Sequence, residues 1–392
     1  MLTFIENIYT SKEFTKLFME KWFMNFVVTP GASTVKRDAQ LNIQLPELTD
    51  LGWVYCSISN IFEDKLSTAD KIILGYLLSK EDISVLLALP EKDRDRRQLL
   101  NALEALEDYK TKGTSNVLLP LDMATSALIL MSALYRCTKT MEMVGLTSKA
   151  KTVEEQLIEP VSDSYTKLYE TALSKLDPKD QQDAKTSLTR DELKKLVIMP
   201  DYYGSSAAIN RIPEIMHEPY LQTKRELIPA HIKHLDWGRK AGSALAAADI
   251  VEPTWICSLT GRNIGYTCTG SITADVYIAE EDITFSVSKT VPGNSYHLPL
   301  IANTIHSADS SILVAWYKYA QANYISTFTT HDAINCTANN LNQMRQIIAE
   351  QIVFISYTNP IMDLSKQLSL PEPQIGNFDN WVTHFKPHNF LT

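Results

Sequence analysis

The spacing of apolar residues changes period along this chain, and that change limits the folds open to it. Residues 67–112, 150–176 and 188–199 carry Leu, Ile and Ala at three- and four-residue intervals, the spacing of amphipathic helices. The first of these starts at "STAD", a capping-type sequence. Over 253–297 the pattern becomes an alternation of Thr, Ile, Val and Tyr with turn signals at "TGRN" and "VPGN", which predicts β-hairpins. Helical spacing returns in "HSADSSILVAWYKYAQ" and "NNLNQMRQIIAEQIVFISY". A mostly 3.6-residue pattern with a short block of period 2 calls for an α+β fold in which helices dominate.

Shorter segments refine this. "TSNVLLPLD" is an apolar strand-like run ending in Asp122, and "ATSALILMSALYR" after it reads as a helix buried on most sides. "DPKDQQDAKT" reads as a solvated linker, and "SLTRDELKKLVIM" as a helix that stops at Pro200. "ISTFTT" is strand-like and runs into His331 and Asp332. The N-terminal "MLTFIENIYTSKEFTKLFMEKWFMNFVV" reads as an amphipathic helix followed by a strand, with the features of neither a signal nor a transit peptide.

Composition removes several function classes. The five cysteines are scattered without a CxxC pair, so neither a zinc site nor a disulfide framework is expected, and a reducing, cytoplasmic setting fits. No apolar run reaches the roughly 18 residues that cross a membrane. The net charge of −9 is poor for a dedicated nucleic-acid binder, so any such binding needs a local basic cleft or a partner that supplies one.

Asp122 and Asp332 each follow an apolar strand-like run. Carboxylates on adjacent strands can hold a divalent ion beside substrate phosphates, although either aspartate alone is more commonly a turn former or helix cap. The 188–199 helix carries Arg190, Lys194 and Lys195 and leads into Tyr203 and Gly204. A surface pair between Asp191 and Lys195 is the ordinary reading, and a row of cations facing a triphosphate the functional one. His306 is expected to begin a helix after a loop, and His331 to neighbour Asp332.

The order of these features resembles the single-subunit RNA polymerases of bacteriophages and mitochondria. "LLPLDMATSALILMSALYR" is similar to the first palm motif of that family, and "TRDELKKLVIMPDYYGSS" to its fingers motif. "IHSADSSILVAWYKYAQANYISTFTTHDAI" resembles the last palm motif with its preceding helix, and "LPEPQIGNFDNW…HNFLT" the C-terminal foot. The resemblance spans about 115–392 and implies a right-hand palm and fingers. The implied units are 1–66, an N-terminal segment; 67–135, the first part of the palm; 136–300, the fingers with the β-rich region; and 301–392, the rest of the palm and the foot.

By that resemblance Asp122, Asp332 and the Met123 carbonyl hold two Mg²⁺ ions. Lys195 contacts the nucleoside triphosphate, with Arg190 or Lys194 in place of the usual arginine, which would fall at Asp191. Tyr203 selects ribose, with Gly204 turning the chain beside it. His306 reads the minor groove near the RNA end, and His331 supports Asp332. Ala333 after the His-Asp pair favours RNA over DNA polymerase; a family A-like DNA polymerase and a non-catalytic palm scaffold are the alternatives. No "DxxGR"-type motif precedes Asp122, and "DWGR" at 236–239 stands in the wrong place. The chain is therefore expected to be the larger subunit of a split enzyme. Its partners are a second subunit, a DNA template and the RNA product, with room for a DNA-binding or strand-opening factor. The acids of "AEEDI" speak against major-groove reading by the 253–297 region.

Overall fold

The computed structural model describes residues 50, 53–54, 57, 93–148, 162–278, 283–292, 296–330 and 333–387. The expected N-terminal helix and strand, and most of the helix expected over 67–112, lie outside the described residues. Among the described residues helices dominate and all strands pair antiparallel in three small sheets, as the α+β expectation requires.

Helix α1 (Asp93–Lys112) leads into strand β1 (Leu118–Leu121), which pairs with β7 (Ala333–Thr337), itself paired with β6 (Thr327–Thr330). Strand order is β1-β7-β6, so the last strand in sequence is the centre of the sheet. Pro120 lacks an amide hydrogen and is tolerated because β1 is an edge strand. The strand at 333–337 was not anticipated from the sequence: "AINCT" is five residues long and buried on both faces, so it shows no alternation. Asn335 in it is buried and satisfied, its Nδ2 donating to the Phe328 carbonyl and its own carbonyl accepting from Thr327 Oγ1.

Helix α2 (Ser126–Leu134) follows β1 and is buried at every position from Ala127 to Leu134, as its uninterrupted apolar sequence demands. Burying each Leu or Ile here is worth about 1.5–3 kcal/mol. The short α3 (Thr138–Met143) follows it. Helix α4 (Ser164–Ser174) is N-capped by Asp163, whose carboxylate accepts from the Tyr165 and Thr166 amides, so a helix running unbroken over 150–176 is corrected. The expected linker at 177–186 is also corrected. It is helix α5 (Pro178–Ser187), capped by Asp177 with proline in its first turn, and only Ala184 is buried, which leaves no apolar stripe to betray it.

The cationic segment is helix α6 (Arg190–Leu193), opened by a capping box between Thr189 and Glu192. It continues through a π-helical turn, Lys194–Ile198, into α7 (Met199–Tyr202). The helix therefore does not stop at Pro200. The Met199 amide donates to the Lys194 carbonyl five residues back, and this wider turn absorbs the proline that a regular α-helix would reject.

Helices α8 (His217–Leu227) and α9 (Pro229–Ala247) precede the β-rich region. That region holds two hairpins, β2 (Thr254–Ile256) with β3 (Asn263–Gly265), and β4 (Thr269–Ile278) with β5 (Ile283–Pro292). The "TGRN" turn closes the first; Val291 and Pro292 of "VPGN" are the last residues of β5, and the rest of that motif lies outside the described residues. Helix α10 (His297–Ala322) crosses α9 closely, because a Cβ at Gly238 would lie 2.3 Å from Ile301 and one at Gly242 2.8 Å from the His297 backbone. This gives the glycine of "DWGR" a packing role. Helices α11 (Ala338–Thr358), α12 (Pro360–Gln367) and α13 (Phe378–His384) complete the chain. Between α11 and α12, Asn359 takes a left-handed φ of 52° and donates to the Leu134 carbonyl, tying this corner to the end of α2.

Candidate active site

Asp122 is the residue after β1, and the register fixes where that end of the strand lies. Leu121 pairs with Ile334 and Ala333 pairs with Thr330. Asp122 therefore leaves the sheet at the end where β6 gives way to β7. His331 and Asp332, which link those two strands in sequence, lie outside the described residues. Asp122 is half-buried with Oδ1 shielded from solvent, and Met123 beside it is buried.

The loop after Asp122 meets the cationic helix through the start of α4. Thr125 Oγ1 hydrogen-bonds Ser164 Oγ at 2.7 Å. Tyr165, the next residue, carries Lys194 Nζ 4.3 Å and the Arg190 guanidinium 5.5 Å from its ring centroid. Burial pushes the Tyr165 hydroxyl up to about 12, against a smaller opposite effect of its hydrogen bond with Thr125. Tyr165 therefore remains a neutral phenol between the Asp122 loop and the cations. The sequence offered no sign of this: a tyrosine in the first turn of an amphipathic helix is ordinary core material.

The three expected cations have separate surroundings. Arg190 is held by Asp163 at 2.5 Å and Asp191 at 2.7 Å, so it braces α6 against the cap of α4. Asp163 is pushed up by burial, but hydrogen bonds from Thr166 and Arg190 outweigh this and leave it below the usual carboxylate range. Lys194 lies on Tyr165. Lys195 is exposed, and Asp191 pairs with Arg190 rather than with Lys195 as the four-residue spacing suggested.

Tyr203 and His306, a hundred residues apart, meet with ring centroids 5.2 Å apart and planes at 44°. His306 does not begin a helix: it is exposed on the third turn of α10, which starts nine residues earlier at His297. Gly204 has φ of 93°, and a Cβ there would lie 2.9 Å from Leu298 Cδ2 and 3.3 Å from Ile301 Cδ1, so only glycine lets the chain turn this close to α10.

Behind Tyr203 is a buried polar cluster. Asp201 Oδ2 accepts from Lys224 Nζ at 2.5 Å and Tyr220 Oη at 3.1 Å, and its carbonyl accepts from His231 Nε2 at 3.0 Å. Burial lowers Lys224, with Asp201 opposing. Burial also drives His231 down to about 3 and His234 to about 4, so both imidazoles are neutral. His234 Nε2 donates to the Ile301 carbonyl, and Nδ1 accepts from Tyr135 Oη. One signal for the cluster is in the sequence: Tyr220, Lys224 and Leu227 stand at helical spacing, which puts a lysine on the inward stripe of α8.

The structure therefore brings Tyr203, Gly204 and His306 together, and links the Asp122 loop to Lys194 and Arg190 through Tyr165. Among the described residues no three His, Cys, Asp or Glu side chains converge as a metal-binding group, and no helix is long and apolar enough to cross a membrane. No protein-family model matches the chain, and no curated protein matches it.

Proposed function

We propose that this chain is the catalytic subunit of a split, phage-type DNA-directed RNA polymerase, with a palm and fingers built from its 115–392 region. It extends an RNA 3′ end from nucleoside triphosphates on a DNA template, together with a second polypeptide of the same enzyme. A DNA-binding or strand-opening factor is a further partner in this reading. The observation that carries it is the β1–β7–β6 register, in which Asp122 leaves the sheet at the end where β6 passes into β7. The Tyr203–His306 contact adds support, because it joins two motifs that the resemblance had placed at one site.

In this reading Asp122 and Asp332 would hold Mg²⁺, for which carboxylate oxygens are suitable hard ligands. A group of three side chains is not required, because Mg²⁺ keeps waters and takes substrate phosphates as its other ligands. When bound, two such ions activate the RNA 3′-hydroxyl and neutralise the triphosphate charge during in-line displacement. Lys195, exposed on the cationic helix, binds the triphosphate and is the candidate proton donor to pyrophosphate. Tyr203 lies against the incoming sugar and favours ribose, His306 steadies the nascent base pair from the minor groove, and His331 supports Asp332.

Primer extension on an RNA–DNA hybrid with Mg²⁺ tests this, using the chain alone and with proteins that co-purify from its natural source. Ribonucleotide addition is expected with a co-purifying chain and abolished by Asp122→Asn. Equal use of deoxynucleotides would point to a DNA polymerase, and biological function that survives Asp122→Asn to a scaffold.

A further inference from the structure

Tyr203 is half-buried and packs against the ring of the exposed His306. Three restraints converge on the neighbouring residues. Asp201 is gripped by Lys224 and Tyr220 of α8, its carbonyl by His231 of α9, and Gly204 lies under Leu298 and Ile301 of α10. Lys224 and Asp201 have side-chain exposures of only 6% and 8%. Taking both charges out of water is costly, and an apolar pair of the same size would hold α7 to α8 at least as well. What an apolar pair lacks is direction: the ion pair fixes the rotation of the last helical turn.

That rotation decides where Tyr203 points. Two residues along a helix is about 200° around it, so an Asp201 anchored inward turns Tyr203 outward. Tyr203 still follows that turn, its amide donating to the Pro200 carbonyl at 3.2 Å. We propose that Lys224 is a positioning residue: through Asp201 it sets the angle at which Tyr203 is presented beside His306, and with it the choice of sugar on the incoming nucleotide. The sugar-selection half of this inference rests on the polymerase reading; the positioning half does not.

Removing one partner would strand a buried charge, so the test uses the double variant Asp201→Asn/Lys224→Met, which keeps volume and removes both charges. The first readout is the His306 imidazole ¹H–¹³C resonance in the full chain, which senses the ring current of Tyr203; Tyr203→Ala gives its value without that ring. The double variant is expected to move this resonance toward the Tyr203→Ala value. The second is the ratio of ribo- to deoxynucleotide addition by the active complex, expected to fall by up to about a hundredfold, the cost of an ångström-scale misplacement. A folded double variant with the wild-type His306 resonance, or with the wild-type ratio, overturns the proposal. If the wild-type complex adds no nucleotide, the polymerase reading fails, and the resonance still decides the positioning. Should the double variant not fold, Tyr220→Phe removes one hydrogen bond from Asp201 and no charge, and is read in the same way.

Discussion

A single missing Cβ decides how the Tyr203 corner is built. Gly204 combines a left-handed backbone with contact against Leu298 and Ile301, so Gly204→Ala is expected to lose about 1–3 kcal/mol, read from the urea midpoint. At this scale the sequence was most legible where chemistry and position coincide. Tyr203, Gly204 and His306 come from the resemblance of their motifs, and the fold sets the Tyr203 and His306 rings together. Arg190 was legible as a cation but not as a brace, because its partner Asp163 belongs to a different helix. Tyr165 and Asp201 gave no signal, since burial and long-range hydrogen bonds leave no local period.

Among elements, caps explain both what was read and what was missed. Helix α6 begins at a capping box visible in "TRDE", whereas α5 is an exposed helix whose composition matches a linker. Strand β7 escaped notice because the central strand of a covered sheet loses the alternation that marks its neighbours. Helix α4 depends on Asp163 twice, as its cap and as the partner of Arg190. Asp163→Ala is therefore expected to cost about 1–2 kcal/mol, the upper part of the range for a lost cap, measured by chemical denaturation. Asp163→Asn, which can still cap, should recover part of that loss.

For the whole molecule, three buried groups contribute to the pH dependence of folding in mildly acidic solution. His231 and His234, ordinarily near 6.5, are held neutral down to about 3 and 4, so below pH 6.5 the unfolded chain takes two protons that the folded chain refuses. Glu350 works the other way. Burial raises it from 4.5 to about 7, with Gln346 opposing, so the folded chain keeps a proton that the unfolded chain releases. Between about pH 5 and 6 the unfolded state thus binds one net proton more, and stability falls with falling pH by about 1.4 kcal/mol per unit from these groups. Glu350→Gln removes the opposing proton. It should double that slope and stabilise the protein above pH 7 by up to about 3 kcal/mol, as unfolding curves at pH 5, 6 and 8 would show.

The π turn at Lys194–Ile198 bears on how a chain like this can change over time. In a regular helix Lys195 and Tyr203, eight residues apart, would stand about 80° apart around the axis; one extra residue taken up in the wide turn brings them within about 20°. Losing one residue there would regularise the helix and leave the two within about 20°, whereas closing the wide turn with every residue kept would swing the lysine about 100° away from the tyrosine's face. Segment length here can thus change by one residue between lineages while the two side chains keep the same facing. Ungapped counting across the segment pairs residues by number when the helix pairs them by angle.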